Sequence, residues 1–356
     1  MSKHPILRIA LLVLALLFVV ATALPLIHEP YWWIRIFDFP RVQLATLGIV
    51  VLVAFWFFRE RTTRWDWAVL AVLVVSVAYQ LVQIWPYTPL HSVQSVEAEA
   101  PADGQAFRLV ASNVLQTNRE SERWLRVVRE ARPDLVLVTE ADTWWQQQIQ
   151  PLRDELPHAV ERPLDNTYGM LLYSRWPLRD VEVREVVEDS IPSIWGSFEL
   201  PSGESVAFAF IHPRPPQPAD DTDNRDAELV LVAREVEDHD GPLIVAGDFN
   251  DVAWSYTTEL FQEISGLLDP RIGRGLYATF HADYPPMRWP LDHVFHSEAL
   301  EVVELRRLDH VGSDHFPILV ELAAVPEAEA EQDKPEEDAE DREEAEEILD
   351  EAQDGE

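Results

Sequence analysis

Apolar positions crowd into three long runs at the start of the chain, Ile6 to Ile27, Val42 to Phe58 and Trp65 to Trp85. A helix needs about 17–25 largely apolar residues to cross the hydrocarbon core of a bilayer, and each run lies in or near that range. The charges within them, Arg8 and Asp66, stand close enough to an end to reach the headgroups. Length and close spacing favour three transmembrane helices, about 6–27, 42–58 and 65–85, over buried core helices. The first run has a second reading as a signal segment, because Ala21-Thr22-Ala23 resembles a cleavage site. Two further spans and Pro25 weigh against cleavage.

The loops orient the anchor. Lys3 and Arg8 flank the first span, and Arg59, Arg61 and Arg64 fill the short second loop. Positive charge favours the cytoplasmic side, against weaker competition from Arg35 and Arg41. Three crossings then place everything after Trp85 on the extracytoplasmic side of the cell (inner) membrane.

After the third run the pattern changes. Residues 91–104 read as a linker, flanked by Pro86 and Pro89 and containing Pro101 and Gly104. From Phe107 short apolar runs bounded by turn residues alternate with amphipathic stretches. Strands are expected at Phe107–Ala111, Leu135–Thr139, Gly169–Tyr173, Ser205–Ile211, Leu243–Ala246 and Ile318–Leu322. Helices are expected over Ser121–Ala131 and Asn224–Val236, the latter with Leu229, Leu231 and Val232 on its apolar side. The chain thus divides into an anchor (1–90), a linker (91–104), an α/β unit (105–325) and a tail (326–356).

Charge changes this picture at two points. The 356 residues carry a formal net charge of −35, and residues 327–356 hold 17 acidic against two basic side chains. Such a tail should be disordered, or at most a marginal helix around 345–349. The rest of the extracytoplasmic unit is also acidic, which disfavours a nucleic-acid backbone as partner. Cysteine is absent, so thiolate catalysis and Cys-based zinc sites are excluded. No phosphate-cradling Gly-Lys-Ser loop and no His-Glu-x-x-His is present.

Polar residues recur directly after the expected strands. Asn113, Glu140 and His212 each follow one, and Asp248 and Asn250 follow another within Gly247-Asp248-Phe249-Asn250. Leu291-Asp292-His293 and Ser313-Asp314-His315 come later. Singly, each has an ordinary reading: Asn113 as a cap, Glu140 as a helix start, Gly-Asp-Phe-Asn as a turn, His315 as a core imidazole. Together they place carboxylates, amides and imidazoles at the strand ends, where α/β folds collect their ligands.

This ordered set, with Ser112-Asn113-Val114, Thr139-Glu140, the run from Tyr168 to Arg175 and Ile211-His212-Pro213, resembles the endonuclease/exonuclease/phosphatase superfamily over roughly residues 107–323. The resemblance implies a four-layer α/β/β/α sandwich behind the three membrane helices. It implies that Asn113, Glu140 and Asp314 hold Mg²⁺, with Mn²⁺ as an alternative. It assigns Asp248 to the attacking water, Asn250 and His212 to phosphoryl oxygens, and His315 to the phosphate or a proton, with Asp292 fixing its tautomer. Tyr168 either faces the site or packs, and Arg214 and Arg225 either bind phosphate or pair with carboxylates. The expected protein is a bilayer-anchored, Mg²⁺-dependent phosphoester hydrolase preferring lipid headgroups or small esters. The alternatives are an extracytoplasmic nuclease and a noncatalytic scaffold.

Overall fold

A computed structural model of the chain describes residues 5–59, 63–98, 101–217, 221–325, 332 and 334–354. Lys3 and Arg61 of the orientation argument lie outside these residues. The three apolar runs form α1 (Pro5–Ala23), α3 (Arg41–Phe58) and α4 (Arg64–Ile84), with the short α2 (Trp32–Arg35) between the first two. Extended by single 3₁₀ turns, the spans Pro5–Leu26, Arg41–Phe58 and Arg64–Tyr87 are each long and apolar enough to cross a membrane. Leu11, Phe18, Val51, Phe55, Leu73 and Val77 pack between the helices, while Ile6, Leu16, Phe57, Val75 and Val82 point outward. An apolar outer surface of this extent suits lipid better than water. Arg8 and Asp66 pair with each other at 2.7 Å, which satisfies both charges at one end of the bundle.

The remainder folds around two mixed sheets. The six-stranded sheet runs β10-β11-β1-β2-β4-β3 and the five-stranded sheet β5-β6-β7-β8-β9. The first contains β1 (Ala106–Asn113), β2 (Leu135–Thr139), β3 (His158–Arg162), β4 (Met170–Ser174), β10 (Leu300–Arg307) and β11 (Ile318–Ala324). The second contains β5 (Leu178–Glu185), β6 (Pro192–Glu199), β7 (Ser205–Ile211), β8 (Leu243–Asp248) and β9 (Asp292–His296). Each has one parallel pair at its heart, β1/β2 and β7/β8; the other pairings are antiparallel. Leu109, Leu137 and Leu172 meet Phe208, Phe210 and Ile244 between the sheets. The outer face of the first sheet is covered by α5 (Ser121–Ala131) and α6 (Thr143–Gln148) through Trp124, Val128 and Trp145. That of the second is covered by α7 (Asp223–Val236) and α8 (Tyr256–Ser265) through Val230, Ala233 and Phe261. This is the expected four-layer sandwich.

Three expectations need correction. On α7, Leu231 is exposed, and Ala227, Val230 and Ala233 face the sheet beside Leu229 and Val232. Residues 91–98 do not hang free. Ser95 bonds His296 at 2.7 Å, and Val96 and Ala98 exchange backbone hydrogen bonds with Val302. In the tail, Ala339–Asp354 forms α9, which buries Ala345 and Ile348 against α7, while Arg234 pairs with Glu337. Local acidity argues for disorder, but two apolar residues one turn apart give the segment a seam that can dock.

Candidate active site

The site forms where the parallel strand pairs end. Asn113 closes β1 and faces Thr139, the last residue of β2, so that Glu140 follows directly beside it. In the other sheet Ile211 pairs with Gly247 and Asp248 with Asp292, which aligns His212, Asp248 and Asp292 along one edge. Gly247 is required there: an added Cβ would meet the Ile211 carbonyl oxygen at 1.9 Å, and φ is +148°. Glu140 and Asn250 both adopt left-handed backbone, with φ of 59° and 52°. Non-glycine residues hold this conformation only where their surroundings over-determine it, and such positions cluster at functional sites.

The Asn113 amide joins the two sheets. Its Nδ2 donates to Glu140 Oε1 at 2.8 Å and to Asp248 Oδ2 at 2.9 Å, while its Oδ1 accepts from the Leu115 amide at 2.9 Å. The second Glu140 oxygen accepts from the Gln116 amide at 3.2 Å. Asp248 Oδ2 also faces two imidazoles, His315 Nε2 at 3.5 Å and His212 Nε2 at 3.9 Å. His315 Nδ1 lies 2.7 Å from Asp292 Oδ2, so the ring is clasped between two carboxylates. Asn250 donates to the Pro213 carbonyl at 2.9 Å, tying the Gly-Asp-Phe-Asn turn to the His212 segment. Asp314, partly buried, acts electrostatically on both Glu140 and His315.

Burial and charge set the protonation states. Burial raises the Glu140 carboxyl above its ordinary range, only partly offset by the Asn113 and Gln116 hydrogen bonds. Burial likewise raises Asp248, which Asp292 reinforces and His315 opposes. Burial disfavours charge on His315, yet Asp292 and Asp248 outweigh it and lift the imidazole to about 10. His212 is pushed down by burial and is neutral at physiological pH. Its Nδ1, like Thr139 Oγ1, is buried without a hydrogen-bond partner.

This environment fits a hard divalent cation. Glu140, Asp248, Asp292 and Asp314 crowd round a single imidazolium, so that carboxylates outnumber cations in a largely buried cluster. Their donors are oxygens, as Mg²⁺ and Mn²⁺ prefer, and the Asn113 carbonyl keeps one lone pair free. Asp248, Asp292 and His315 also lie close enough to hold an ion, with their ligand atoms within 4.8 Å of one another. Both nitrogens of His315 already face carboxylates, so that triplet reads first as a hydrogen-bonded relay.

Other residues resolve in favour of support. Arg214 pairs with Glu188 at 2.7 Å. Arg225 pairs with Asp226 at 2.6 Å and Asp251 at 3.3 Å and donates to the Asn250 carbonyl, so it braces the turn. Tyr168 stands beside His212, ring centres 5.5 Å apart. Trp145, Trp195 and Trp254 are buried and Trp144 and Trp289 partly so, which makes none an open stacking platform. Sequence reasoning missed Asp251 and His293. The His293 ring stacks on Phe249 and lies between Arg271 at 2.8 Å and the Asp251 carbonyl at 3.0 Å. Asp251 accepts from Ser255, the N-cap of α8, at 2.6 Å. The only available signal was a second polar residue beside each recognised one.

A two-sheet sandwich with an Asn-Glu-Asp-His cluster at its strand ends defines the class of DNase I-like phosphoesterases. The chain belongs to the endonuclease/exonuclease/phosphatase family, whose model matches residues 107–315. Its members are typically phosphoester-hydrolysing, divalent-metal-dependent enzymes. Among solved structures, an endonuclease/exonuclease/phosphatase from Beutenbergia cavernae is similar at 18% identity and TM-score 0.52, covering 62% of this chain and 72% of that one. The human Nocturnin catalytic domain with bound sulfate is similar at 18% identity and TM-score 0.50, covering 67% and 99%. D. rerio TDP2 complexed with a single-strand DNA product is similar at 15% and 0.50, covering 61% and 98%. No curated protein matches the sequence.

Proposed function

We propose that this protein is a membrane-anchored, Mg²⁺-dependent phosphoester hydrolase whose cleft faces the extracytoplasmic side of the cell membrane, with lipid headgroups or small esters as preferred substrates. The observation that carries the reading is Asn113 bridging Glu140 and Asp248 while His315 lies between Asp248 and Asp292. Glu140, Asp314 and the Asn113 carbonyl would hold the cation. Bound there, a divalent cation offsets negative charge on a phosphoryl oxygen. Asp248 positions the attacking water and takes its proton. Protonated His315, oriented by Asp292, and the second amide N–H of Asn250 face the non-bridging oxygens. His212 adds a neutral imidazole on the same side. Arg8, Arg59 and Arg64 support the orientation by the positive-inside rule.

The test is a hydrolysis screen on the full chain with phospholipid, inositol phosphates, bis-p-nitrophenyl phosphate and plasmid DNA. Mg²⁺-dependent turnover of at least one ester is expected, with a loss of about 10³-fold or more in Glu140→Ala. Equal rates for wild type and variant would leave a noncatalytic scaffold. Plasmid cleavage as the dominant activity would make it a nuclease.

A further inference from the structure

The Asp292–His315 pair and the apolar helices share a wall. Between α8 and β9 the chain doubles back over the site. Phe280 forms backbone bridges to both Trp289 and His315, and its ring lies 5.0 Å from the His315 ring. The Ala282 amide donates to the Asp314 carbonyl at 2.7 Å, and Thr279 Oγ1 accepts from the Asp292 amide at 3.2 Å. Residues 278–289 therefore flank Asp292, Asp314 and His315 at once.

The far side of that segment touches the spans. The Pro286 carbonyl accepts from Gln43 Nε2 at 2.9 Å, and Gln43 is in the first turn of α3. Trp289 meets Phe39 edge-on at 5.7 Å, and the two pack with Val42 and Ile84 from the ends of α3 and α4. A helix rises about 1.5 Å per residue, so Gln43 lies only about 3 Å inside the start of its span. The tip of the segment is thereby held at the level where α3 enters the bilayer. It exposes Tyr284 (61%) and Met287 (54%), and Tyr31, Trp33 and Trp85 stand exposed beside the same ends of the bundle. Half-exposed aromatics at span ends are how proteins seat in the headgroup layer. Arg288 and Arg307 flank the Phe316 ring at 4.9 and 4.3 Å, next to His315. Neither has a carboxylate partner among the described residues, although most arginines of this acidic molecule do. They offer counter-charge to an anionic headgroup at the mouth.

We infer that residues 281–289 form a bilayer-contacting rim, with Tyr284 and Met287 in the headgroup layer, and that the ester entering the cleft belongs to a membrane phospholipid. The substrate half of this inference rests on the hydrolase reading above; the position of the rim does not.

The absence of cysteine makes a direct test available. Met287→Cys and, at the opposite end of β7, Ser202→Cys are each labelled with a nitroxide in the full chain. Both are reconstituted in vesicles of phosphatidylethanolamine and phosphatidylglycerol. The label at 287 should be shielded from an aqueous nickel chelate and reached by oxygen several-fold more than the label at 202. Equal aqueous access at the two positions would overturn the rim. In the same vesicles, wild type should release phospholipid headgroup in Mg²⁺ faster than it cleaves bis-p-nitrophenyl phosphate. Cleavage of the soluble ester with the lipid untouched would overturn the substrate half alone. Turnover of neither would overturn the hydrolase reading and the lipid substrate with it.

Discussion

His315 is fully enclosed, and its ring survives there as a cation because Asp292 and Asp248 bracket it. With its pKa lifted to about 10 from an ordinary 6.5, the charged ring adds stability below pH 6.5 and loses that contribution as pH rises through 10. The same shift keeps His315 protonated across the working range, where it can stabilise phosphoryl charge or give up a proton. Asp292→Asn removes the stronger of the two partners. That variant is expected to lower kcat by about 10²–10⁴-fold and to draw the alkaline limb of the pH–rate profile toward neutrality. A limb unmoved by the substitution would separate Asp292 from the chemistry. Five of the eight expected site residues were legible as polar residues after apolar runs, and Asp292, Asp314 and His315 by their place at or just ahead of the last strands. Hydrogen bonds and close contacts bring Asn113, Glu140, His212, Asp248, Asp292 and His315 together. Arg225 pairs with carboxylates, one of its two expected readings. The roles of Asp251 and His293 were not legible, because their work is to hold other residues, and bracing side chains carry no mark in a linear pattern.

At the scale of elements, the site depends on two parallel pairs ending level with each other. The β7/β8 contact passes through Gly247, where the Ile211 carbonyl leaves no room for a side chain. Gly247→Ala should force the strands apart and cost more than about 3 kcal/mol. Thermal unfolding in detergent should show this as a Tm lower by roughly 6–12 °C; an unchanged Tm would refute the packing argument. Buried runs such as Leu135–Thr139 and Ser205–Ile211 are strands on sight, because both faces are covered and the residues are continuously apolar. The strands that escaped notice have physical reasons to do so. Exposed β5 alternates with charged residues, and partly exposed β3 ends in Glu161 and Arg162. β9 carries His293 and His296 fully buried, polar in sequence yet satisfied by Arg271, Asp251 and Ser95.

For the whole molecule, the three apolar helices are joined to the α/β unit by more than the chain. Asp38, between the first two spans, binds Arg35 at 3.0 Å and Arg41 at 2.9 Å, and its carbonyl accepts from Trp254. Arg35 in turn reaches Thr257 at 3.1 Å, at the start of α8. This end of the bundle thus packs against Trp254 and the start of α8, just after the turn that carries Asp248 and Asn250. Apolar runs located the three helices long enough to cross a membrane and the charge run located the acidic tail, while the sandwich was implied only by the family resemblance. Composition could not show that loop, linker and tail all dock on the α/β unit, because each docks through a few residues scattered in polar sequence, which local averaging hides.

The proposed centre depends on convergence of oxygen donors around one divalent cation. Titrating the metal-free full chain with Mn²⁺ and following the free-ion signal by electron paramagnetic resonance tests this without any choice of substrate. We expect one Mn²⁺ per chain, displaced by Mg²⁺, with affinity reduced by more than about 10-fold in Glu140→Gln. Identical binding by wild type and Glu140→Gln would contradict the proposed centre.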